Sequence, residues 1–385
     1  MSHANANVHC TLEEVHDLVR HQLHALWAHP DQASVIPPVM LWGPPGVGKS
    51  TIVRRICEEE GIAFLDVRLA QREPIDIRGL PVPGPDGTLH WMLPAEWPRG
   101  PETRGIILFD ELSAADRTLQ VAAYELILDR RLGDLYQVPP GWYLMAAGNR
   151  TSDRAVATTM SSALANRFCH VEVEADLDVW VRWANRAGVH PDVIAFLRFR
   201  PTAFLDLTGN LERGWPSPRS WERVGLQLGL AEHLSDAVLR ALVVGLVGPG
   251  AGLELLAFRE WTRQLPDVTE LLAGRVAVVI PSRADQRHAL CASLVYHLWR
   301  APDRETALTI FFDVGQKLTS DFAAMTMADA LHGRRAEEIA QLFAHPRFPG
   351  WSAQHGPAFA ARGWGGSAKL ADRILRGVDA ASLDV

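Results

Sequence analysis

The chain has 385 residues, of which 48% are hydrophobic and 22% charged, and this is enough apolar material for two or three globular domains. Its 45 acidic and 38 basic residues give a formal net charge of −7, and no stretch clusters Lys and Arg, which argues against non-specific binding to nucleic acid. No apolar stretch approaches the roughly 20 residues of a membrane span, and the N-terminal region has neither a signal-peptide core nor a basic leader, so we expect a cytoplasmic protein.

The first predicted elements flank a glycine-rich segment. Residues 12–29 carry apolar side chains at helical spacing, with Thr11 placed as the N-cap, and predict an amphipathic helix. The apolar run 39–42 is typical of a buried strand in a parallel sheet. Residues 50–60 predict a second helix, so the segment between the strand and this helix is a strand–loop–helix connection.

That connection has the sequence Gly-Pro-Pro-Gly-Val-Gly-Lys-Ser, the pattern of a phosphate-binding loop. A glycine turn without a ligand is the alternative, but it leaves the flanking strand and helix unexplained. Lys49 supplies a slim point charge for the β- and γ-phosphates, and the Ser50 hydroxyl is placed to bind Mg²⁺. We expect a nucleoside triphosphate to contact the whole segment, which consists of Gly43, Pro44, Pro45, Gly46, Val47, Gly48, Lys49, Ser50 and Thr51.

Further apolar runs predict four more strands, at 63–69, 105–111, 142–147 and 168–173. The Pro- and Gly-rich segment 74–98 contains the dipeptide Asp86-Gly87 and predicts an inserted hairpin, and a second short hairpin is predicted at 132–138. Repeated strand–helix units predict an α/β fold with an open parallel sheet that helices cover on both faces.

Polar side chains end two of these strands, where ligands bind in open α/β sheets. Asp110 and Glu111 follow an apolar strand. Asp110 is expected to hold Mg²⁺ through water, and Glu111 to orient and polarise the attacking water. The alternative is an acidic pair that caps the next helix. Asn149 ends another strand and would help to position the same water, or it is an ordinary turn asparagine.

After about residue 174 the pattern becomes helical, with predicted helices starting near residues 177, 191, 220, 235, 285 and 303. The Phe311, Phe312, Leu318 and Phe322 stripe is expected to be core. We therefore predict three regions: a nucleotide-binding α/β core at 1–174 with the inserted hairpin at about 74–98, a helical region at 175–265, and a mostly helical C-terminal region at 266–385.

The order of these motifs resembles that of the AAA+ ATPases. The motifs are the phosphate-binding loop, Leu-Phe-Asp-Glu at 108–111, Ala-Gly-Asn at 147–149, Ala-Asn-Arg-Phe at 165–168 and Ser-Pro-Arg at 217–219. The two hairpins are similar to those of the MoxR group. The resemblance covers about residues 12–235 and implies a core sheet of five strands, a helical lid, and a homo-oligomeric ring, usually of six subunits, with nucleotide between neighbours.

The resemblance also implies roles for two arginines, which from sequence alone would be ordinary surface or ion-pair residues. Arg167 looks like the arginine finger that acts on the γ-phosphate of the next subunit, and Arg219 looks like a second sensor on the lid. The family often has Asn and Arg soon after the acidic pair, whereas this chain has Leu-Ser-Ala-Ala at 112–115. An additional contact between subunits from this segment is therefore open, with Arg117 as a weak substitute.

These features predict an ATP hydrolase that remodels a protein partner. The MoxR resemblance implies a chaperone-like role in enzyme maturation or metal insertion, with a partner that contains a von Willebrand factor type A domain. The alternatives are an AAA+ motor on nucleic acid, which the acidic charge disfavours, and a nucleotide-switched scaffold with little turnover. In the inserted hairpin, Leu89, Trp91 and Met92 either contact the substrate or pack against the core.

Overall fold

The computed structural model describes residues 8–150, 153, 160, 162–209, 211–231 and 234–362, apart from the side chains of residues 163 and 164. The chain forms two compact units, Met1–Asp176 and Leu177–Val385. Among the helices of the described residues, none is long and apolar enough to cross a bilayer.

The first unit is an α/β structure. Its strands and helices are β1 (His9–Cys10), α1 (Leu12–Ala28), β2 (Val39–Trp42), α2 (Lys49–Glu60), β3 (Ala63–Arg68), α3 (Pro74–Arg78), β4 (Leu80–Pro83), β5 (Leu89–Met92), β6 (Gly105–Asp110), α4 (Arg117–Asp129), β7 (Arg131–Leu132), β8 (Tyr136–Gln137), β9 (Trp142–Gly148), α5 (Ser162–Ala165) and β10 (Cys169–Val173). Thr11 caps α1 as expected, because its hydroxyl accepts a hydrogen bond from the Glu14 amide.

The central sheet has six parallel strands in the order β1-β10-β2-β9-β6-β3. This confirms the predicted parallel sheet but corrects the expected number of five strands. The additional strand, β1, pairs with the edge of β10 through His9 opposite Glu172 and Cys10 opposite Val173. A strand of two residues has no measurable periodicity, so the sequence pattern could not reveal it.

Alternate residues of the central strands enter two separate cores, which explains why helices cover both faces of the sheet. On β2, Val39 and Leu41 are fully buried with side chains of α1 and α2 on one face, while Met40 is fully buried with those of α4 on the other. Full burial of such a side chain stabilises the fold by roughly 1.5–3 kcal/mol. Burial on both faces thus fixes the middle of the sheet, and the ends of its strands are held in place as a result.

Residues 74–98 contain the short helix α3 and the antiparallel hairpin β4–β5. α3 was not predicted, because a helix of five residues leaves too little pattern. Leu89, Trp91 and Met92 are 66%, 42% and 62% exposed. Of the two alternatives for these side chains, packing against the core is therefore wrong.

The second unit is helical. Its helices are α6 (Leu177–Ala187), α7 (Pro191–Phe199), α8 (Pro218–Gly229), α9 (Asp236–Val247), α10 (Pro249–Thr262), α11 (Val268–Leu272), α12 (Ala284–Leu298), α13 (Arg304–Lys317), α14 (Ser320–Leu331), α15 (Ala336–Ala344) and α16 (Phe348–Ala361). Phe311, Phe312, Leu318 and Phe322 are at most 8% exposed, which confirms them as core. The predicted boundary between residues 265 and 266 stays a prediction, and residues 363–385 lie outside the described part of the chain.

Candidate nucleotide-binding and hydrolysis site

The phosphate-binding loop lies between β2 and α2 and depends on glycine for its shape. Gly43, Gly46 and Gly48 have φ values of +153°, +81° and +107°. A β-carbon on Gly43 would lie 2.8 Å from the Val173 carbonyl oxygen of β10, which is a backbone atom that cannot move aside. Gly48 is the N-cap of α2 and supplies no side-chain cap, and a helix N-terminus of this kind is suited to binding an anion.

Lys49 is buried, with 8% exposure, and its ammonium group is surrounded by oxygen atoms. Lys49 Nζ donates to the Gly43 carbonyl at 2.6 Å, the Pro44 carbonyl at 3.1 Å and Asn149 Oδ1 at 3.0 Å. The structure therefore brings together Lys49 and Asn149, which are 100 residues apart in the chain. An ammonium has three hydrogen-bond donors, so this set of oxygen atoms can occupy all of them.

Ser50 and Asp110 form the second contact of the site. Ser50 Oγ donates to Asp110 Oδ2 at 2.5 Å, and the other carboxylate oxygen of Asp110 accepts a hydrogen bond from the Glu111 amide at 2.9 Å. A hydroxyl and a carboxylate are hard oxygen ligands, and Mg²⁺ commonly takes one or two carboxylates and completes its shell with water and substrate phosphates. The two residues therefore fit a Mg²⁺ ion. Among the described residues there is no group of three His, Cys, Asp or Glu side chains that could hold a metal by itself.

Glu111 lies directly after β6 in a sharp turn. Its φ of +58° is in the left-handed region, which costs a residue with a side chain about 1–2 kcal/mol. The turn is held by the Leu112 amide, which donates to the Ala147 carbonyl at 3.0 Å, and by the Ala114 amide, which donates to the Glu111 carbonyl at 2.9 Å. The N-cap of α4 is Asp116, so the alternative that the acidic pair caps the next helix is wrong.

Ser113 is a residue of the site that the sequence analysis missed. Its hydroxyl donates to the Asn149 carbonyl at 3.0 Å and accepts from the Asn149 amide at 2.9 Å. The side chain is buried, with 2% exposure. A single hydroxyl in the otherwise apolar segment 112–115, just after the acidic pair, was the signal that could have revealed it.

Arg150 is a second residue that was not predicted from the sequence. Its guanidinium group lies 2.9 Å from Glu172 of β10 and 3.1 Å from Asp153, and its amide donates to Asp153 at 2.8 Å. Both carboxylates are buried, at 9% and 3% exposure. The contact with Asp153 is local, whereas the contact with Glu172 joins the end of β9 to β10 beside Asn149, and no local pattern connects these two segments.

The two predicted arginines lie in different units. Arg167 is exposed in the turn between α5 and β10, and the next residue, Phe168, anchors this turn with 7% exposure. Arg219 is exposed in the first turn of α8, which starts with a capping box between Ser217 and Ser220. The roles of Arg167 and Arg219 stay predictions.

A comparison with protein families points to the same segment. The family model described as "ATPase family associated with various cellular activities (AAA)" matches residues 39–80. NtrX from Brucella abortus in complex with ADP is 18% identical, with a TM-score of 0.33, over 84% of this chain and 65% of that chain, so this chain spans just under two thirds of that protein. RuvB from Thermotoga maritima is 18% identical, with a TM-score of 0.36, over 78% of this chain and 90% of that chain.

A protein from Cytophaga hutchinsonii is 12% identical, with a TM-score of 0.30, over 95% of this chain and 97% of that chain. The segment matched by the AAA model contains β2, the phosphate-binding loop, α2 and β3. It is therefore the segment that holds Lys49 and Ser50. The six-stranded parallel sheet around it is consistent with the P-loop α/β fold of the AAA+ ATPases.

Proposed function

We propose that this protein is a MoxR-like AAA+ ATPase, which hydrolyses ATP at the subunit interfaces of a ring and uses the energy to remodel or activate a protein partner. One observation supports the hydrolysis more than any other. Lys49, Ser50, Asp110 and Asn149 meet at one edge of the sheet, with Nζ of Lys49 3.0 Å from Oδ1 of Asn149 and the Ser50 hydroxyl 2.5 Å from Asp110. These side chains follow the ends of three neighbouring strands, β2, β9 and β6.

The loop and Lys49 would bind the triphosphate of ATP. The ammonium of Lys49 donates to the carbonyls of Gly43 and Pro44 and to Asn149 Oδ1, so oxygens of the β- and γ-phosphates would replace some of these contacts rather than add to them. Buried lysine gains from this exchange because phosphate carries a full negative charge and the carbonyl oxygens do not. Movement of the Asn149 side chain away from Lys49 would then accompany ATP binding.

Ser50 and Asp110 would hold Mg²⁺ with the nucleotide, with Asp110 acting through water. When bound, Mg²⁺ would neutralise charge on the phosphate oxygens during the displacement. The side chains beside the ion would position the attacking water. Glu111 would accept a hydrogen bond from the attacking water, and Asn149 would hold the same water in line with the bond between the γ-phosphorus and the bridging oxygen. That bond breaks as the new phosphorus–oxygen bond forms, and ADP and phosphate result.

Arg167 would complete the site of the neighbouring subunit. Its planar guanidinium can stabilise the charge that develops on the transferred phosphoryl group, a contribution of about 10³ to 10⁵ in rate in known cases. Arg167 is exposed, and the turn that carries it is anchored by the buried side chain of Phe168. This exposure supports a role outside its own protomer. We further propose a hexameric homo-oligomer, in which Arg219 on α8 acts as a sensor of the loss of the γ-phosphate.

The proposed partner is a protein with a von Willebrand factor type A domain, and the proposed role is chaperone-like, in enzyme maturation or metal insertion. This rests on the resemblance of the two hairpins to those of the MoxR group and on the exposure of the β4–β5 hairpin. A net charge of −7 weighs against a motor that acts on nucleic acid.

Phosphate release by the wild type, Glu111→Gln and Arg167→Ala tests the hydrolysis. We expect the wild type to turn over, and both variants to lose turnover by about 10³ or more while a fluorescent ATP analogue still binds. Equal rates in all three proteins would contradict hydrolysis at this site. ATP binding by the wild type without phosphate release would instead identify a nucleotide-switched scaffold.

A further inference from the structure

The β4–β5 hairpin has two edges with different backbone chemistry. Its three-residue turn is closed by the Gly84 amide, which donates to the Thr88 carbonyl at 2.8 Å. Hydrogen-bonded and non-hydrogen-bonded pairs alternate along an antiparallel ladder. Because Gly84 and Thr88 are bonded, the next pair, Pro83 opposite Leu89, is not, and neither is Pro81 opposite Trp91. The backbone groups of these four residues face outward from the hairpin.

On β4 the outward positions are both proline. Proline has no amide hydrogen, so the outer edge of β4 offers no donor to another strand at Pro81 or Pro83. On β5 the outward positions are Leu89 and Trp91, and each has both a donor and an acceptor. Within the described residues, neither amide donates to a group outside the hairpin, and all four residues of β5 are exposed. The hairpin is thus closed along one edge and open along the other.

Apolar side chains flank the open edge. Leu89 and Trp91 are 66% and 42% exposed on one face of the hairpin, and Leu80 and Met92 are 49% and 62% exposed on the other. An open groove of about 440 Å³ beside this edge is lined by Ile75, Leu80 and Met92 and also by the charged residues Arg72, Asp76 and Glu96. Proteins generally shield a strand edge with charge, proline or a covering element, whereas the outward positions of β5 carry neither charge nor proline, and no element of the described residues covers them.

The base of the hairpin is fixed, although its strands are exposed. Gly79, with a φ of +93°, precedes β4, and a β-carbon there would lie 2.3 Å from the Met92 carbonyl oxygen. The indole of Trp97, which is 1% exposed, donates to the Ile77 carbonyl at 3.0 Å. A strand that binds to β5 would therefore meet an edge that is already ordered, which lowers the entropic cost of binding.

We propose that β5 binds an extended segment of a client protein as a third strand of this small sheet. The Leu89 and Trp91 amides donate to carbonyl groups of the segment, and their carbonyls accept from its amides. Apolar side chains at alternate positions of the segment cover Leu89 and Trp91 on one face or Leu80 and Met92 on the other. That the segment belongs to a client rests on the proposed function, whereas the open edge does not.

Two other occupants fit the surface less well. Nucleic acid needs positive charge, and residues 80–92 contain no Lys or Arg, with Asp86 as their one formally charged residue. A second copy of the chain could pair its own β5 with this edge, but such a contact is self-complementary and joins only two copies. The proposed ring requires a head-to-tail contact instead.

Fluorescence anisotropy with a labelled peptide of alternating Val and Thr tests the proposal on the full wild-type chain without nucleotide. A second peptide has the same sequence but carries N-methyl groups at every residue, which removes the donors along both of its edges. We expect saturable binding of the first peptide and at least about tenfold weaker binding of the second, because each main-chain hydrogen bond contributes about 0.5–1.5 kcal/mol.

A matched pair of variants tests the protein side of the same contact. Trp91→Ala removes the indole but keeps the outward amide, whereas Trp91→Pro removes both. We expect Trp91→Pro to bind the peptide about two- to tenfold more weakly than Trp91→Ala, because one main-chain hydrogen bond is lost. Circular dichroism checks that both variants are folded, and the peptide comparison needs no variant at all.

Three results would overturn the proposal: no peptide binding by the wild type, equal affinity for the two peptides, or self-association through β5 that excludes the peptide. The experiment needs no ATP turnover. Peptide binding without phosphate release would count against the proposed hydrolysis alone, and phosphate release without peptide binding would count against the β5 edge alone.

Discussion

The hydroxyl of Ser113 makes two hydrogen bonds to the backbone of Asn149, one to its carbonyl at 3.0 Å and one from its amide at 2.9 Å. Ser113 lies two residues after Glu111, and the side chain of Asn149 accepts a hydrogen bond from Lys49. The segment with the expected water-polarising carboxylate is therefore joined to the residue that contacts the phosphate-binding lysine. A shift of Asn149 on ATP binding would reach the turn at Glu111 through one buried hydroxyl.

Ser113→Ala should lower kcat by about tenfold or more and leave nucleotide affinity nearly unchanged. The substitution leaves the backbone groups of Asn149 without a buried partner, and each such loss costs about 1–3 kcal/mol. Phosphate release and a titration with a fluorescent ADP analogue measure the two quantities. Ser34→Ala, in an exposed loop before β2, is the matched control. A wild-type kcat in Ser113→Ala would show that the hydroxyl does not position Asn149.

Local patterns were sufficient for the parts of the site that lie within one strand–loop–helix unit or at the end of one strand. Lys49 and Ser50 follow from the loop motif, and Asp110 and Asn149 follow from their places at the ends of β6 and β9. The contact between Ser113 and Asn149 could not be predicted, because it requires β6 and β9 to be neighbours in the sheet. Strand order depends on packing, and a single sequence does not display it.

Gly43→Ala should abolish nucleotide binding and destabilise the protein, whereas Gly61→Ala should only destabilise it. A β-carbon on Gly43 meets the Val173 carbonyl at 2.8 Å, so the loop must move. Gly61 ends α2 with a φ of +64°, and a β-carbon there would meet no atom within 4 Å beyond its own chain neighbours. The cost of Gly61→Ala is therefore that of the left-handed backbone alone, about 1–2 kcal/mol. Nucleotide titration and thermal unfolding of both variants measure the difference. Normal affinity in Gly43→Ala would contradict the account of the loop.

A histidine in the second unit should make stability depend on pH. Burial lowers the pKa of His288 to about 4, and the nearby charges of Arg198, Arg287 and Arg362 act in the same direction, while Asp321 opposes them. The imidazole of His288 packs against the ring of Phe322, with the two ring centroids 4.7 Å apart. The native state therefore disfavours the protonated imidazole, which forms freely in the unfolded chain near its ordinary pKa of about 6.5.

Between about pH 6.5 and pH 4 the unfolded chain binds more protons than the native one, so stability rises with pH in this window and is lost as the pH falls. From pH 7 to pH 5, the wild type should lose about 1–2 kcal/mol more of unfolding free energy than His288→Gln does. Urea unfolding at the two pH values measures this difference, with a substitution of the exposed α1 residue His21, His21→Gln, as control. Parallel losses in the wild type and His288→Gln would refute the assignment.

The helices of the second unit show which helices a sequence pattern predicts and which it does not. Ser235 and Asp303 were recognised as helix starts, and both side chains cap their helices. α14, in contrast, was not predicted as a separate helix. Residues of α14 are buried on nearly all sides, so it lacks the polar face that makes an amphipathic helix visible in a sequence.

The most direct test of the account is a mixture of two inactive variants, Lys49→Ala and Arg167→Ala. If each hydrolytic site takes Lys49 and Glu111 from one protomer and Arg167 from its neighbour, mixed rings contain intact sites at about a quarter of their interfaces. Phosphate release should then appear in the mixture and be absent from either variant alone. A mixture that co-assembles but stays inactive, or an Arg167→Ala protein as active as the wild type, would contradict the account.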